Sequence, residues 1–171
     1  MNFRHIALGL CFLAASSASS ATEEAPVGQG LSIFDRYAST AQDLVVRALS
    51  FVGVNYRHGG ESPETGFDCS GLVRHVFRES LGLVLPRTSR DISRVGETVP
   101  PDELQPGDLV FFNTLRRGFS HVGIYLGENR FVHAPATGGE VRIEDMRHRY
   151  WVKRFNGARR IAATDSAIAA N

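Results

Sequence analysis

Hydrophobic positions recur at helical spacing in the first half of the chain and at strand spacing in the second. Over residues 33–52, Phe34, Tyr37, Ala41, Leu44, Val45, Ala48, Leu49 and Val52 follow the helical period, and Gly53 stops it. This predicts a first helix. Residues 55–66 hold Gly59, Gly60, Pro63 and Gly66 and read as a loop. A second helix is expected over 68–81, with Leu72, Val73, Val76 and Phe77 on its apolar face and Gly82 as its stop. Cys69 then falls in its first turn.

Downstream the period changes. Thr88 can cap a short helix running to Val95, and Pro106-Gly107 turns into a strand over 108–112. Further short strands are expected over 121–126, 130–134, 140–143 and 151–161, with a polar segment over 144–149 between the last two. Helices first and strands after imply an α+β fold, helices packed on a mainly antiparallel sheet. No internal repeat is visible.

The N-terminus reads as a leader. Arg4 precedes an apolar run over 6–15 and small residues over 16–21, so residues 1–21 match a secretory signal peptide, too short to span a bilayer. Residues 22–32, with Pro26, Gly28 and Gly30, read as a flexible lead-in, and 162–171 as a disordered tail. Residues 33–161 are left as one domain. Cleavage after Ala18 or Ala21 would remove Cys11 and leave Cys69 as the sole cysteine. A lone thiol in an oxidising compartment has no disulfide partner and is an oxidation liability, which favours a chemical role over that of a small buried hydrophobe. Leu8-Gly9-Leu10-Cys11 lacks the small residue a lipobox needs before its cysteine, which argues against a lipid anchor at Cys11.

Charge excludes one class of partner. The formal net charge is +1, and loss of Arg4 with the leader brings it to zero, so no strongly basic nucleic-acid footprint is present. The cluster Arg147, Arg149, Lys153, Arg154, Arg159 and Arg160 reads as a solvated face, with attraction to an anionic polymer as the alternative.

Cys69 and the histidines carry the chemistry. A free thiol, with a pKa of about 8.5, is mostly protonated at neutral pH; a helix N-terminus and a nearby imidazolium lower that value. Gly127 lies midway between His121 and His133, within a hairpin turn over 126–129. Folding back there makes the two histidines cross-strand neighbours on one face, with Val122, Ile124, Leu126 and Val132 on the other. Gly123 leaves room on the histidine face, and a helix packed there would bring Cys69 to His121. Cys69 is then the nucleophile, His121 the general base and acid, and His133 the acceptor that fixes the tautomer of His121. Backbone N–H groups at Cys69 would stabilise an oxyanion. His58, in a Gly-rich loop, and His75, mid-helix, are assigned structural roles. One Cys and two His could also ligate zinc with an open fourth position, but the ligands sit singly and the helix end activates a thiol by itself, so no metal or cofactor is expected.

Asp68-Cys69-Ser70-Gly71, Leu85-Pro86-Arg87, the run 106–112 (Pro-Gly-Asp-Leu-Val-Phe-Phe), Ser120-His121-Val122-Gly123-Ile124-Tyr125 and Phe131-Val132-His133-Ala134 together resemble the NlpC/P60 cysteine peptidases. The resemblance covers about 44–161, and Tyr150-Trp151 with 154–160 is most similar to the Spr-type murein endopeptidases of Gram-negative bacteria. It implies a papain-like core, a Cys-His-His triad on Cys69, His121 and His133, and cleavage of peptidoglycan peptide stems. The bond implied is D-γ-glutamyl to diaminopimelate for the family at large, and D-alanyl to diaminopimelate for the Spr type. It further implies Tyr56 near the oxyanion, Asp68 and Ser70 as substrate-holding residues, and export to a periplasm. Without the resemblance, Asp68 is a helix-capping residue. No transmembrane helix and no separate wall-binding domain are visible, so a targeting partner protein stays open. An inactive wall-binding module, or an acyltransferase or amidase on the same core, would share these residues.

Overall fold

The computed structural model describes residues 33–114, 118–136 and 139–162, with side chains from residue 39 onward. The expected signal peptide (1–21), the lead-in (22–32) and the tail beyond Ala162 lie outside the described residues.

Helix α1 spans Ile33–Leu49 and ends short of the expected boundary, because residues 50–53 close in turns, with Phe51 N–H donating to Ala48 O at 3.3 Å. A small hairpin of β1 (Glu61–Ser62) and β2 (Gly66–Phe67) occupies part of the expected loop. Helix α2 follows over Cys69–Leu81 and stops at Gly82, whose φ is 68° and whose N–H donates to Arg78 O at 2.9 Å. Thr88 caps α3 (Ser89–Ile92) by accepting from Asp91 N–H. The rest is sheet with short excursions: β3 (Glu97–Thr98), a 3-10 turn at Pro101–Glu103, β4 (Leu109–Phe112), β5 (His121–Gly127), β6 (Arg130–His133), β7 (Arg142–Asp145), α4 (Arg149–Val152) and β8 (Phe155–Arg160).

Six strands form one sheet in the order β3-β8-β4-β5-β6-β7, every neighbouring pair antiparallel. The fold is α+β, as the two periodicities imply, and papain-like, as the resemblance implies. Both faces of the sheet are covered. Leu109, Phe111, Val122, Ile124 and Val132 pack with Leu72, Val73, Val76 and Phe77 of α2 in the main core. Val110, Phe112, Tyr125, Phe131 and Ala158 pack on the other face with Trp151 of α4. Burial on both faces explains why β4 reads as an unbroken apolar run rather than an alternating one.

Two boundaries depart from expectation. Residues 139–141 pair with 53–56 instead of entering the main sheet: Tyr56 N–H donates to Gly139 O at 2.7 Å, and Val141 N–H to Val54 O at 2.8 Å. Strand β7 therefore starts at Arg142 and runs through Glu144 and Asp145, the start of the expected polar segment. Trp151, expected in the last strand, sits in α4. The expected solvated arginine face also breaks up. Arg160 pairs with buried Asp108 at 2.8 Å, Arg159 donates to Ser93 O at 2.6 Å, Arg147 pairs with Asp145, and Arg154 lies over the Tyr150 ring at 3.8 Å.

Candidate active site

Cys69 is at the start of α2 because Asp68 ends the preceding loop and caps the helix, its Oδ1 accepting from Gly71 N–H at 2.7 Å. The cap is itself enclosed. Gly59 N–H donates to Oδ2 at 3.1 Å, Ser70 Oγ to Oδ1 at 3.1 Å, and Arg87 to Oδ2 at 2.5 Å. Burial pushes the Asp68 carboxyl up, but the Arg87 and Gly71 hydrogen bonds outweigh it and leave the group below its ordinary value. Asp68 is thus an anion with both oxygens engaged. Gly71 is what lets the loop reach the helix, since a Cβ there would stand 2.0 Å from Gly60 O.

The thiol lies where a cleft divides into two lobes, each of about 630 Å³. Tyr56, His58, Cys69 and Ser120 line both. One lobe continues along Asp68, Ser70 and Arg87; the other along His121, Arg142, Glu144 and Tyr150. Tyr56 and His58 reach it on the loop that the 53–56 pairing holds in place. His58, assigned a structural role above, is an exposed cleft residue, whereas His75 packs edge-on to Phe51 at 5.0 Å between ring centroids.

His121 and His133 meet on one face, but not at the expected register. Ile124 stands opposite Val132, which sets His133 beside Gly123 and two residues along from the partner expected for it. The cause is at the turn. Glu128 and Asn129 form a two-residue turn with φ of 52° and 59°, and the register slips between Tyr125 and Gly127. The rings meet diagonally, His121 Nε2 and His133 Nδ1 2.7 Å apart. The room at Gly123 serves His133 itself: a Cβ there would lie 2.8 Å from Val132 O and 3.3 Å from His133 Cβ. Helix α2 packs on the opposite face, against Val122 and Ile124, so Cys69 and His121 line the same lobe of the cleft at the start of β5, where Val122 N–H points at the sulfur.

Aromatic carbon surrounds the pair. Trp151 stacks on His121, 5.8 Å between centroids at 21°, and stands edge-on to His133 at 5.2 Å. Phe112 and Phe131 close the remaining sides. Exposure is 3% for His121 and 0% for His133. Burial takes His121 down to about 3, with the neighbouring His133 adding and Glu144 opposing. Burial likewise pushes the Cys69 thiol up to about 11, the Asp68 charge adding and the N–H groups of Val122, Ser70 and Cys69 opposing. The expected lowering of the thiol by its helix end is overridden by desolvation and the Asp68 carboxylate. With these shifts the thiol keeps its proton and the imidazole stays neutral. Tyr56 is raised, first by burial and then by Cys69 and Asp68, so its hydroxyl keeps its proton.

Three residues of the site escape the sequence pattern. Glu144 Oε1 lies 3.6 Å from His133 Nε2, Arg142 Nε donates to the same oxygen at 2.6 Å, and the Trp151 indole N–H donates to Oε2. Arg142 already lay within an expected strand, and once β7 is extended through Asp145 alternation puts Glu144 beside it on the histidine face; for Glu144 that extension was the missing signal. Among the described residues no group of three or more His, Cys, Asp or Glu side chains is arranged to hold a metal ion. His121 Nε2 and His133 Nδ1 engage one another instead.

A half-buried thiol and His121 line one cleft on an α+β scaffold, with His133 buried behind His121, and the chain that carries them is similar to known proteins. The chain is 48% identical over 109 residues to murein DD-endopeptidase MepS/murein LD-carboxypeptidase of Escherichia coli, covering 64% of this chain and 56% of that protein. It is 44% identical over 118 residues to the gamma-DL-glutamyl hydrolase of Bacillus subtilis, covering 68% of this chain and 28% of the relative. The chain thus spans little more than half of one relative's length and less than a third of the other's. A crystal structure of an NlpC/P60 family protein from Bacillus cereus superposes with a TM-score of 0.66 at 34% identity, over 70% of this chain and 39% of that one. The sequence profile of the NlpC/P60 family matches residues 53–160, a span that begins before Tyr56 and takes in Cys69, both buried histidines and the whole six-stranded sheet; the chain belongs to the NlpC/P60 family.

Proposed function

We propose that this chain is an exported cysteine endopeptidase that hydrolyses peptide bonds of peptidoglycan. The observation that carries the reading is that Cys69 lies where the two lobes of the cleft join, His121 lines one of them with it, and His133 engages His121 from behind. His121 uses Nε2 on His133, which leaves Nδ1 for the thiol. Cys69 Sγ attacks the scissile carbonyl carbon as its proton passes to His121 Nδ1; the C–N bond breaks, the leaving amine takes that proton, and a thioester remains. Water then attacks the thioester carbonyl carbon, giving a proton to His121; the C–S bond breaks, the carboxylic acid leaves, and the proton on His121 returns to Cys69 Sγ to restore the thiol. Developing negative charge on the carbonyl oxygen would be met by Cys69 N–H and the protonated Tyr56 hydroxyl. Asp68 and Ser70 shape the acyl-side lobe with Arg87, and their engaged oxygens suit them to orienting Arg87 toward substrate.

One relative's name supports a wall substrate, and the two names differ in the bond. A murein DD-endopeptidase supports the D-alanyl to diaminopimelate cross-link; a gamma-DL-glutamyl hydrolase supports a γ-glutamyl bond. The cross-link is the reading we adopt, since that relative shares the higher identity. No described helix is long and apolar enough to cross a membrane. Digestion of purified peptidoglycan with mass analysis of the fragments tests bond, activity and acceptor together. Cross-linked dimers should fall to monomers with water added, and Cys69→Ala should leave the dimers intact. Cleavage by Cys69→Ala would remove the nucleophile assignment, and fragments carrying an amine acceptor instead of water would mark a transferase.

A further inference from the structure

One buried polar atom has no role in the mechanism above. Nε2 of the fully buried His133 has no hydrogen-bond partner among the described residues, and the carboxylate of Glu144 faces it at 3.6 Å. That carboxylate is held in place. Arg142 Nε fixes Oε1, and the Trp151 indole fixes Oε2. Cross-strand pairing of Phe131 with Glu144 and His133 with Arg142 keeps Glu144 diagonal to His133 on one face of the sheet.

Resting on the roles assigned above to Cys69, His121 and His133, we propose that Glu144 is a positioning residue that sets the tautomers of both buried histidines and supports the imidazolium formed during catalysis. The hydrogen count leads there. Only one hydrogen can lie between His121 Nε2 and His133 Nδ1, which are 2.7 Å apart. A thiol proton needs His121 Nδ1 as its acceptor, so the shared hydrogen must belong to His121 Nε2. His133 Nδ1 then accepts, and the hydrogen of neutral His133 must sit on Nε2, aimed at Glu144. In the opposite arrangement an unprotonated Nε2 would face a carboxylate, two acceptors against each other, and His121 would present Nδ1–H to the thiol. That ring could not act as a base. A small closing movement of Glu144 turns the 3.6 Å approach into a hydrogen bond when the pair becomes charged.

The surrounding charges agree. Contact with His133 is the largest influence holding the Glu144 carboxyl down at about 2, burial opposing and Trp151 and Arg142 adding, so it is an anion throughout the working range. The other titratable or charged groups facing the pair are Cys69 of α2 with its neighbour Asp68, Arg142 of β7, Tyr56 and His58 from the loop, and His148 and Tyr150 at α4. Phe112 of β4 and Phe131 of β6 contribute only carbon.

Iodoacetamide alkylation of Cys69, followed against pH, reads this pair without any substrate. In the full chain, Glu144→Gln should slow alkylation at pH 7 about tenfold and move its profile to higher pH, the effect of a one-unit rise in the apparent thiol pKa. Glu144→Asp, which keeps the charge, should recover most of the rate. Nitrogen NMR of the unaltered protein should report His133 protonated on Nε2. A wild-type alkylation profile in Glu144→Gln, or a His133 protonated on Nδ1 in the parent protein, would overturn the proposal. The NMR outcome needs no variant to fold. If alkylation shifts as stated while peptidoglycan stays uncut, the wall substrate is wrong and the role of Glu144 stands.

Discussion

In the proposed mechanism His133 acts through another residue, which makes it replaceable in a way that His121 is not. Its Nδ1 meets His121 Nε2, and all that contact requires of position 133 is an acceptor. His133→Gln and His133→Asn can place an amide oxygen there, whereas His133→Ala leaves the His121 N–H unpaired beside Trp151 and Phe131. Loss of His121 should remove the activity nearly completely; His133→Ala should cost on the order of a hundredfold in kcat, and the amide variants clearly less. Steady-state rates on a cross-linked muropeptide check this. Equal rates for His133→Ala and His133→Gln would remove the tautomer role. That Cys69, His121 and His133 come together was legible in the sequence from residue type and strand parity. Glu144, Arg142 and Trp151 were not: Glu144 lay just past the expected end of a strand, Arg142 lay inside that strand with nothing in its residue type to mark it, and Trp151 sits in a helical turn expected to be strand.

At the scale of elements, the caps and stops of α2 were fully readable and the register of the β5–β6 hairpin was not. Asp68 and Gly82 announce themselves by residue type, since a carboxylate at a helix start and a glycine at its end act locally. A hairpin's register depends on which residues take positive φ, and here Gly127, Glu128 and Asn129 all do, which makes a two-residue turn after Gly127 rather than a loop centred on it. Even that slip kept both histidines on one face, because it shifted the partner of His133 by two residues. Strand β7 moved for a nonlocal reason: 139–141 are drawn off to pair with 53–56. The contact between loop and α2 gives an element-scale prediction. A Cβ at Gly71 would meet the backbone oxygen of Gly60 at 2.0 Å and Asp68 Oδ1 at 3.1 Å, and the backbone cannot rotate away. Gly71→Ala should therefore destabilise the fold by about 1–3 kcal/mol, lowering the urea midpoint with an unchanged m value. An unaltered midpoint would show that the loop yields freely.

For the whole molecule, enclosing two imidazoles in an aromatic face links stability to pH. His121 is held at about 3 by burial against an ordinary value of 6.5, and His133 is lowered for the same first reason. Above 6.5 both are neutral whether the chain is folded or not, and their contribution is complete. As pH falls below 6.5 the unfolded chain binds protons that the fold refuses, so stability declines, by about 1 kcal/mol per pH unit for each such proton. Glu144 adds a second decline at lower pH, because its carboxyl is held at about 2 against an ordinary 4.5 and loses its His133 and Arg142 contacts on protonation. The two windows are separable. Unfolding in urea at a series of pH values should show stability falling already between 6.5 and 4.5, before the carboxylates titrate, and more steeply below. His121→Asn should flatten the upper part and leave the lower; Glu144→Gln should do the reverse. A parent protein equally stable at pH 6.5 and 5 would mean that the histidines take up protons in the folded state, and the neutral thiol–imidazole resting pair would have to be replaced by an ion pair.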